Sequence, residues 1–114
     1  MKVQYLEIVT REVDAVCAAY ASALDVQFGD PDAGLGGARI ASLANGGLVG
    51  IRAPLRETEE PVVRPYWLVD DIEAALAAAL QAGAEIAHPP MEIPGRGTFA
   101  IYVQGGNDHG LWQL

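Results

Sequence analysis

The sequence predicts an α+β fold: two tandem β-α-β-β-β modules whose strands form a curved mixed sheet around a cleft. Three observations carry this expectation. The two halves of the chain superimpose at an offset of 59 to 60 residues; each has one stretch of helical apolar spacing; and each ends in two apolar runs joined by a glycine-rich turn.

VQYLEIV reads as the first strand, and from Glu12 the residues Val13, Val16, Cys17, Tyr20 and Leu24 recur at the spacing of one helix face. A short strand is expected at VQFGD, then a hairpin of RIASL and LVGIR around the turn ANGG. In the second half PYWLV reads as a strand. Asp70 and Asp71 stand where a helix cap is needed, Ile72, Ala75, Leu76, Ala79 and Leu80 give the apolar stripe, and Gly83 supplies the stop. EIAHP is the matching short strand, with His88 placed in a loop before Pro89 and Pro90, and TFAIYV and DHGLWQL form the closing hairpin around QGGN. Gly37, Gly46 and Gly50 fall on Gly97, Gly106 and Gly110. The expected organisation is a single domain over 1–114, with module 1 at about 1–56, an exposed linker RAPLRETEEPVVRP at about 53–65, and module 2 at about 62–114.

With 114 residues and a hydrophobic share of 51%, the chain can bury a real core. A formal net charge of −8 disfavours nucleic acid and anionic membrane surfaces as partners, because 7 Lys and Arg among 15 carboxylates cannot form a cationic stripe. No apolar run is long enough to span a bilayer and no leader pattern opens the chain, so a cytoplasmic location is expected. The lone Cys17 excludes an internal disulfide framework and Cys-x-x-Cys chemistry, and its place on the helix stripe makes it a small hydrophobe before a nucleophile. GLGG and GGLVG lack the strand-to-helix context of a nucleotide loop and read as turns.

Two β-α-β-β-β copies in a chain of this length resemble the vicinal oxygen chelate superfamily, which includes glyoxalase I, extradiol dioxygenases, fosfomycin-resistance transferases and bleomycin-resistance proteins. The resemblance covers essentially the whole chain and is most specific in VDDIEAAL, AGAEI, PPMEIPGRGTFA and the closing GLWQ. It implies, for the enzymes, a metal in the cleft held from the first and last strands of each copy. Here those positions fall on Tyr5 and Arg64 and on Gly50 and Gly110, which are not the His or carboxylate ligands that such a site requires. No metal, no other cofactor and no catalytic residue is therefore assigned, and metal-free binding is the leading reading. The metal-free members that it resembles sequester antibiotics, notably bleomycin and mitomycin, which implies a role in antibiotic resistance.

Strand alternation selects the cleft lining. If Leu6 and Ile8 pack on a helix, Val3, Tyr5 and Glu7 face the cleft; burying Trp67 and Val69 turns Arg64, Tyr66 and Leu68 inward. Sending Phe99, Ile101 and Val103 to the core leaves Ala100 and Tyr102 in the cleft, joined by Ile40, Ser42, Leu48 and Arg52 and by Asp108, Gly110 and Trp112. The candidate ligand-binding residues are Tyr5, Glu7, Ser42, Arg52, Arg64, Tyr66, Tyr102, Asp108 and Trp112. Such a lining suits a small aromatic ligand with a cationic group. Three alternatives stay open. Tyr5, Tyr66 or Trp112 could equally sit in a subunit interface, since the resemblance implies a homodimer; the chain could be a small metal-dependent lyase, isomerase or transferase of the glyoxalase type; or it could be an interaction domain with a vestigial cleft. His109 is expected to point toward a helix.

Overall fold

The computed structural model describes all residues, Met1–Leu114. It is α+β, with seven strands and two helices: β1 (Val3–Val9), α1 (Val13–Leu24), β2 (Arg39–Ser42), β3 (Leu48–Arg52), β4 (Val62–Leu68), α2 (Ile72–Gln81), β5 (Glu85–Ile93), β6 (Gly97–Gln104) and β7 (Asn107–Gln113). Neither helix is long and apolar enough to cross a membrane. The chain divides into two compact units, Leu6–Val63 and Met1–Tyr5 with Arg64–Leu114, so both divisions fall inside strands, β1 and β4.

In the unit Leu6–Val63, β2 and β3 form an antiparallel hairpin with Arg39 opposite Ile51 and Ser42 opposite Leu48, and β3 is flanked on its other side by β1. One face of these strands is covered by α1: Ile8, Cys17, Ala41, Val49 and Ile51 form the core, with Leu6, Val13, Val16, Tyr20 and Phe28 packed around it. Val13, Val16, Cys17 and Tyr20 of the stripe read from the sequence thus pack on the sheet, whereas Leu24 at the end of the helix is exposed. VQFGD, however, is not a strand. Residues 26–30 run as irregular chain into a 3-10 turn at Ala33–Leu35, tied by an isolated bridge between Asp32 and Ala38. Asp32 caps that turn through a 2.8 Å bond from the Gly34 amide, and its local turn chemistry outcompetes extended pairing.

In the other unit the strand order is β1-β4-β7-β6-β5. β4 and β7 run parallel, whereas β7, β6 and β5 are successively antiparallel, which makes the sheet mixed. Asp71 caps α2 by accepting from the Ala74 amide at 3.1 Å, and Gly83 leaves the helix with φ of 100°. Ile72 and Leu76 of α2 bury against Ala100 and Leu111, with Trp67, Val69, Ala75 and Tyr102 around them.

Two expectations about this half are corrected. The short strand EIAHP is the start of a nine-residue strand, and His88, Pro89 and Pro90 lie inside it. β5 ends the strand order, so the missing proline N–H groups cost no ladder bonds on its outer side; the pairing with β6 also shifts register between Ile86 and His88 and between His88 and Met91. The linker is also shorter than 53–65, because Val62, Val63, Arg64 and Pro65 already belong to β4.

Candidate ligand-binding site

The register of β4, β7 and β6 assembles an aromatic cluster. Tyr66 lies opposite Gly110 and Leu68 opposite Trp112 across the parallel pair, while Phe99 lies opposite Trp112 across the antiparallel one. Tyr5, Tyr66 and Trp112 are 3%, 4% and 4% exposed. Their ring centroids lie 5.6 Å apart for Tyr5–Tyr66, 5.4 Å for Tyr5–Trp112 and 5.7 Å for Tyr66–Trp112, the last pair edge to face. Phe99 extends the cluster from Tyr66 at 6.1 Å, and the half-buried His88 lies over Phe99 at 4.7 Å. Each such pair contributes about 0.5–1.5 kcal/mol beyond its buried area. The Trp112 indole donates to the Arg96 carbonyl at 3.0 Å, fastening the β5–β6 turn to this cluster.

Gly110 makes the cluster possible. A Cβ there would collide with the Tyr66 ring and come within 2.8 Å of the Pro65 carbonyl oxygen. Beside it the buried Arg64 donates from Nε at 3.2 Å and Nη2 at 2.7 Å to one oxygen of Asp108. The Arg64 side chain is 10% exposed and that of Asp108 34%, so the carboxylate is the part of the pair that meets solvent.

The unit Leu6–Val63 carries a second charged cluster. Arg52 Nε donates to Glu7 at 2.8 Å, and its Nη1 and Nη2 donate to the two oxygens of Glu59 at 2.9 and 2.8 Å. Arg52 and Glu7 are both 6% exposed. The Glu59 hydrogen bond above all raises the Arg52 pKa above its usual value; burial opposes it, and the bond and charge of Glu7 add to it. Gly36, at the end of the 3-10 turn with φ of 67°, lies where a Cβ would stand 3.2 Å from Arg52 Cδ, so the turn passes close to the arginine stem.

The metal that the superfamily resemblance implies does not fit these residues. Tyr5 is enclosed by rings, Arg64 brings a cation, and the space at Gly110 is taken by Tyr66. Gly50 offers no side chain, and no three His, Cys, Asp or Glu side chains are grouped to hold an ion.

Of the nine residues selected from the sequence, Tyr5, Tyr66 and Trp112 meet in one cluster, Arg64 meets Asp108, and Glu7 meets Arg52. Ser42 is exposed opposite Leu48, at the far end of the hairpin from Arg52, and joins neither cluster. Tyr102 is misplaced by the alternation argument. It packs with Ala100 and Leu111 on the α2 side and stacks on His109 at 5.1 Å, whereas Phe99, assigned to the core, faces Trp112. Bulky residues occupy both faces of β6, so hydrophobicity could not decide its parity. The turn could have. Gln104 pairs with Asn107 across Gly105 and Gly106, both at positive φ, and this two-residue loop fixes Phe99 opposite Trp112. Glu59, in the linker, was beyond the reach of strand parity.

No protein-family model matches the sequence, and no curated protein matches it. Solved structures do. A hypothetical protein of Bacillus halodurans C-125 superimposes with a TM-score of 0.73 at 16% identity, covering 99% of this chain and 94% of that one. Methylmalonyl-CoA epimerase from Mycobacterium tuberculosis gives 0.73 at 13% identity over 96% and 85%. A Streptomyces coelicolor methylmalonyl-CoA epimerase variant in complex with 2-nitronate-propionyl-CoA gives 0.68 at 14% over 99% and 96%. With near-complete coverage and the α+β strand plan described above, the chain shares the fold of these solved structures.

Proposed function

We propose that the chain is a metal-independent small-molecule-binding protein that holds a flat, partly aromatic ligand, with sequestration of an antibiotic or similar natural product as its biological form. The observation that carries this reading is the packing of Tyr66 into the place where the superfamily's enzymes would carry a ligand at position 110. A buried aromatic cluster stands there in place of coordination chemistry. Tyr5, Tyr66 and Trp112 form a rigid floor, the partly exposed Phe99 and His88 supply ring faces, and the Asp108 carboxylate favours a cationic group on the ligand. A cytoplasmic setting fits the single cysteine, and the exposed Ile86 and Met91 on the edge strand β5 support a homodimer, a part of the reading that a monomer by light scattering would remove.

The test is a thermal-shift and tryptophan-fluorescence screen with intercalating and glycopeptide-like antibiotics. A saturable shift that Phe99→Ala removes is the expected result. No shift with any of them, together with a response to a divalent metal, overturns it.

The epimerase neighbours favour a second reading, an enzyme acting on an acyl-CoA. Moving a proton on and off carbon calls for carboxylates or imidazoles poised as bases, whereas Glu7, Glu59 and Asp108 are each engaged by an arginine. Deuterium incorporation at the α-carbon of methylmalonyl-CoA decides between the readings: none is expected.

A further inference from the structure

Arg52 is a buried cation whose two roles are divided between its nitrogens. Nε holds Glu7, which comes from the adjacent strand β1 and is as buried as Arg52 itself. The outward fork of Nη1 and Nη2 holds Glu59 with two parallel bonds at 2.9 and 2.8 Å, the geometry in which a guanidinium recognises a carboxylate. Glu59 belongs to no strand or helix. It sits in the segment 53–61 between β3 and β4, where residues 55–58 are exposed, and it is held there by the Leu55 amide at 2.7 Å as well as by Arg52.

Charge makes the outer carboxylate the exchangeable one. Glu7 and Arg52 already form a neutral pair, and Glu59 adds a second negative charge to one cation. Replacing Glu59 by another carboxylate keeps every charge and both fork bonds, so the exchange costs mainly the few contacts of the segment. Gly36 passes close beside the Arg52 stem, where a Cβ would stand 3.2 Å from Cδ.

We propose that the Arg52 fork is a binding site for a small-molecule carboxylate, and that Glu59 is a tethered competitor occupying it in the ligand-free protein. The proposal goes beyond the aromatic-surface reading and stands independently of it. A tethered competitor lowers the apparent affinity of a free ligand by the fraction of time it leaves the site open, which gives Glu59 a gating role. Ligand entry then releases the segment 53–61 and with it the exposed Arg56.

The experiment uses sodium benzoate and sodium acetate, with sodium chloride at equal ionic strength as control. In the unmodified protein, limited trypsin cleavage after Arg56 is expected to rise severalfold and to saturate with carboxylate concentration, but not with chloride. Calorimetry is expected to show benzoate bound at least tenfold more tightly by Glu59→Gln, a gain that Arg52→Lys, which keeps the charge without the fork, should lose. The proposal is overturned if benzoate leaves cleavage after Arg56 unchanged in the unmodified protein, a measurement that needs no variant to fold. It is equally overturned if Glu59→Gln binds benzoate no more tightly than the parent. Neither outcome touches the antibiotic screen, which reads Phe99 and the tryptophans.

Discussion

The Tyr66 ring fills the volume that a side chain at position 110 would need, and Gly110 leaves the room that the ring requires. Gly110→Ala should therefore destabilise the protein by about 1–3 kcal/mol through overpacking, read from urea denaturation midpoints. The double variant with Tyr66→Ala should cost less than the sum of the two single changes, because removing the ring removes the collision.

Trp112→Phe keeps an aromatic ring against Tyr5 and Tyr66 but deletes the 3.0 Å bond to the Arg96 carbonyl. About 1 kcal/mol of stability should be lost, and amide exchange should quicken at residues 95–97 before it changes elsewhere in the unit. Gly97→Ala should loosen the same turn more severely, since a Cβ there meets the Gln113 carbonyl and stands 2.9 Å from Trp112 Nε1, on a backbone with φ of 125°.

Burial pushes the Cys17 thiol above its ordinary value of 9.0, with Arg39 opposing and Asp14 assisting. A thiol whose folded pKa exceeds the unfolded one binds its proton more tightly when folded. Its contribution to stability is complete below about pH 9 and is lost as pH rises through the folded value. The unmodified protein should lose more stability than Cys17→Ala across that alkaline window, and the thiol should resist alkylation at pH 8 until denaturant is added.

Two ion pairs should respond differently to deletion. Glu7→Ala removes the 2.8 Å partner at Arg52 Nε while Glu59 still pairs the charge, and should cost about 1–3 kcal/mol. Asp14→Ala breaks a bridge to Arg39 at similar length, 3.1 Å, but its carboxylate is almost fully exposed and the change should be close to undetectable. Equilibrium unfolding of both variants at one pH makes the comparison.

Pro89 and Pro90 sit in β5, the last strand of its unit, with the exposed Ile86 and Met91 nearby. Replacing both prolines by threonine restores backbone N–H donors to an edge strand that carries apolar side chains. Concentration-dependent association beyond that of the parent is expected, measured by light scattering.

The sequence made most of this fold readable because its signals agreed. Helical spacing, the Asp71 cap, the Gly83 stop and the glycine turns each have a single physical meaning, and both helices and the closing hairpin formed as those signals require. Where signals conflicted, reading failed. VQFGD has strand residues, but the adjacent Asp32 cap claims the backbone for a turn. His88-Pro89-Pro90 carries loop residues, yet an edge strand tolerates them. Within the site, parity placed Tyr5, Glu7, Arg64, Tyr66, Asp108 and Trp112 because each of their strands has one face marked by residues that pack on a helix. It failed for Tyr102 because β6 is apolar on both faces, and it could not reach Glu59, whose position depends on a buried partner 7 residues away rather than on any local pattern.

The boundary between the two compact units falls between Tyr5 and Leu6, halfway along β1. A strand cannot keep its ladder at one end while the other end melts without fraying at the junction. The amides on either side of that junction are expected to exchange together and slowly, since neither end of the strand can open without disturbing the next residue of the same ladder.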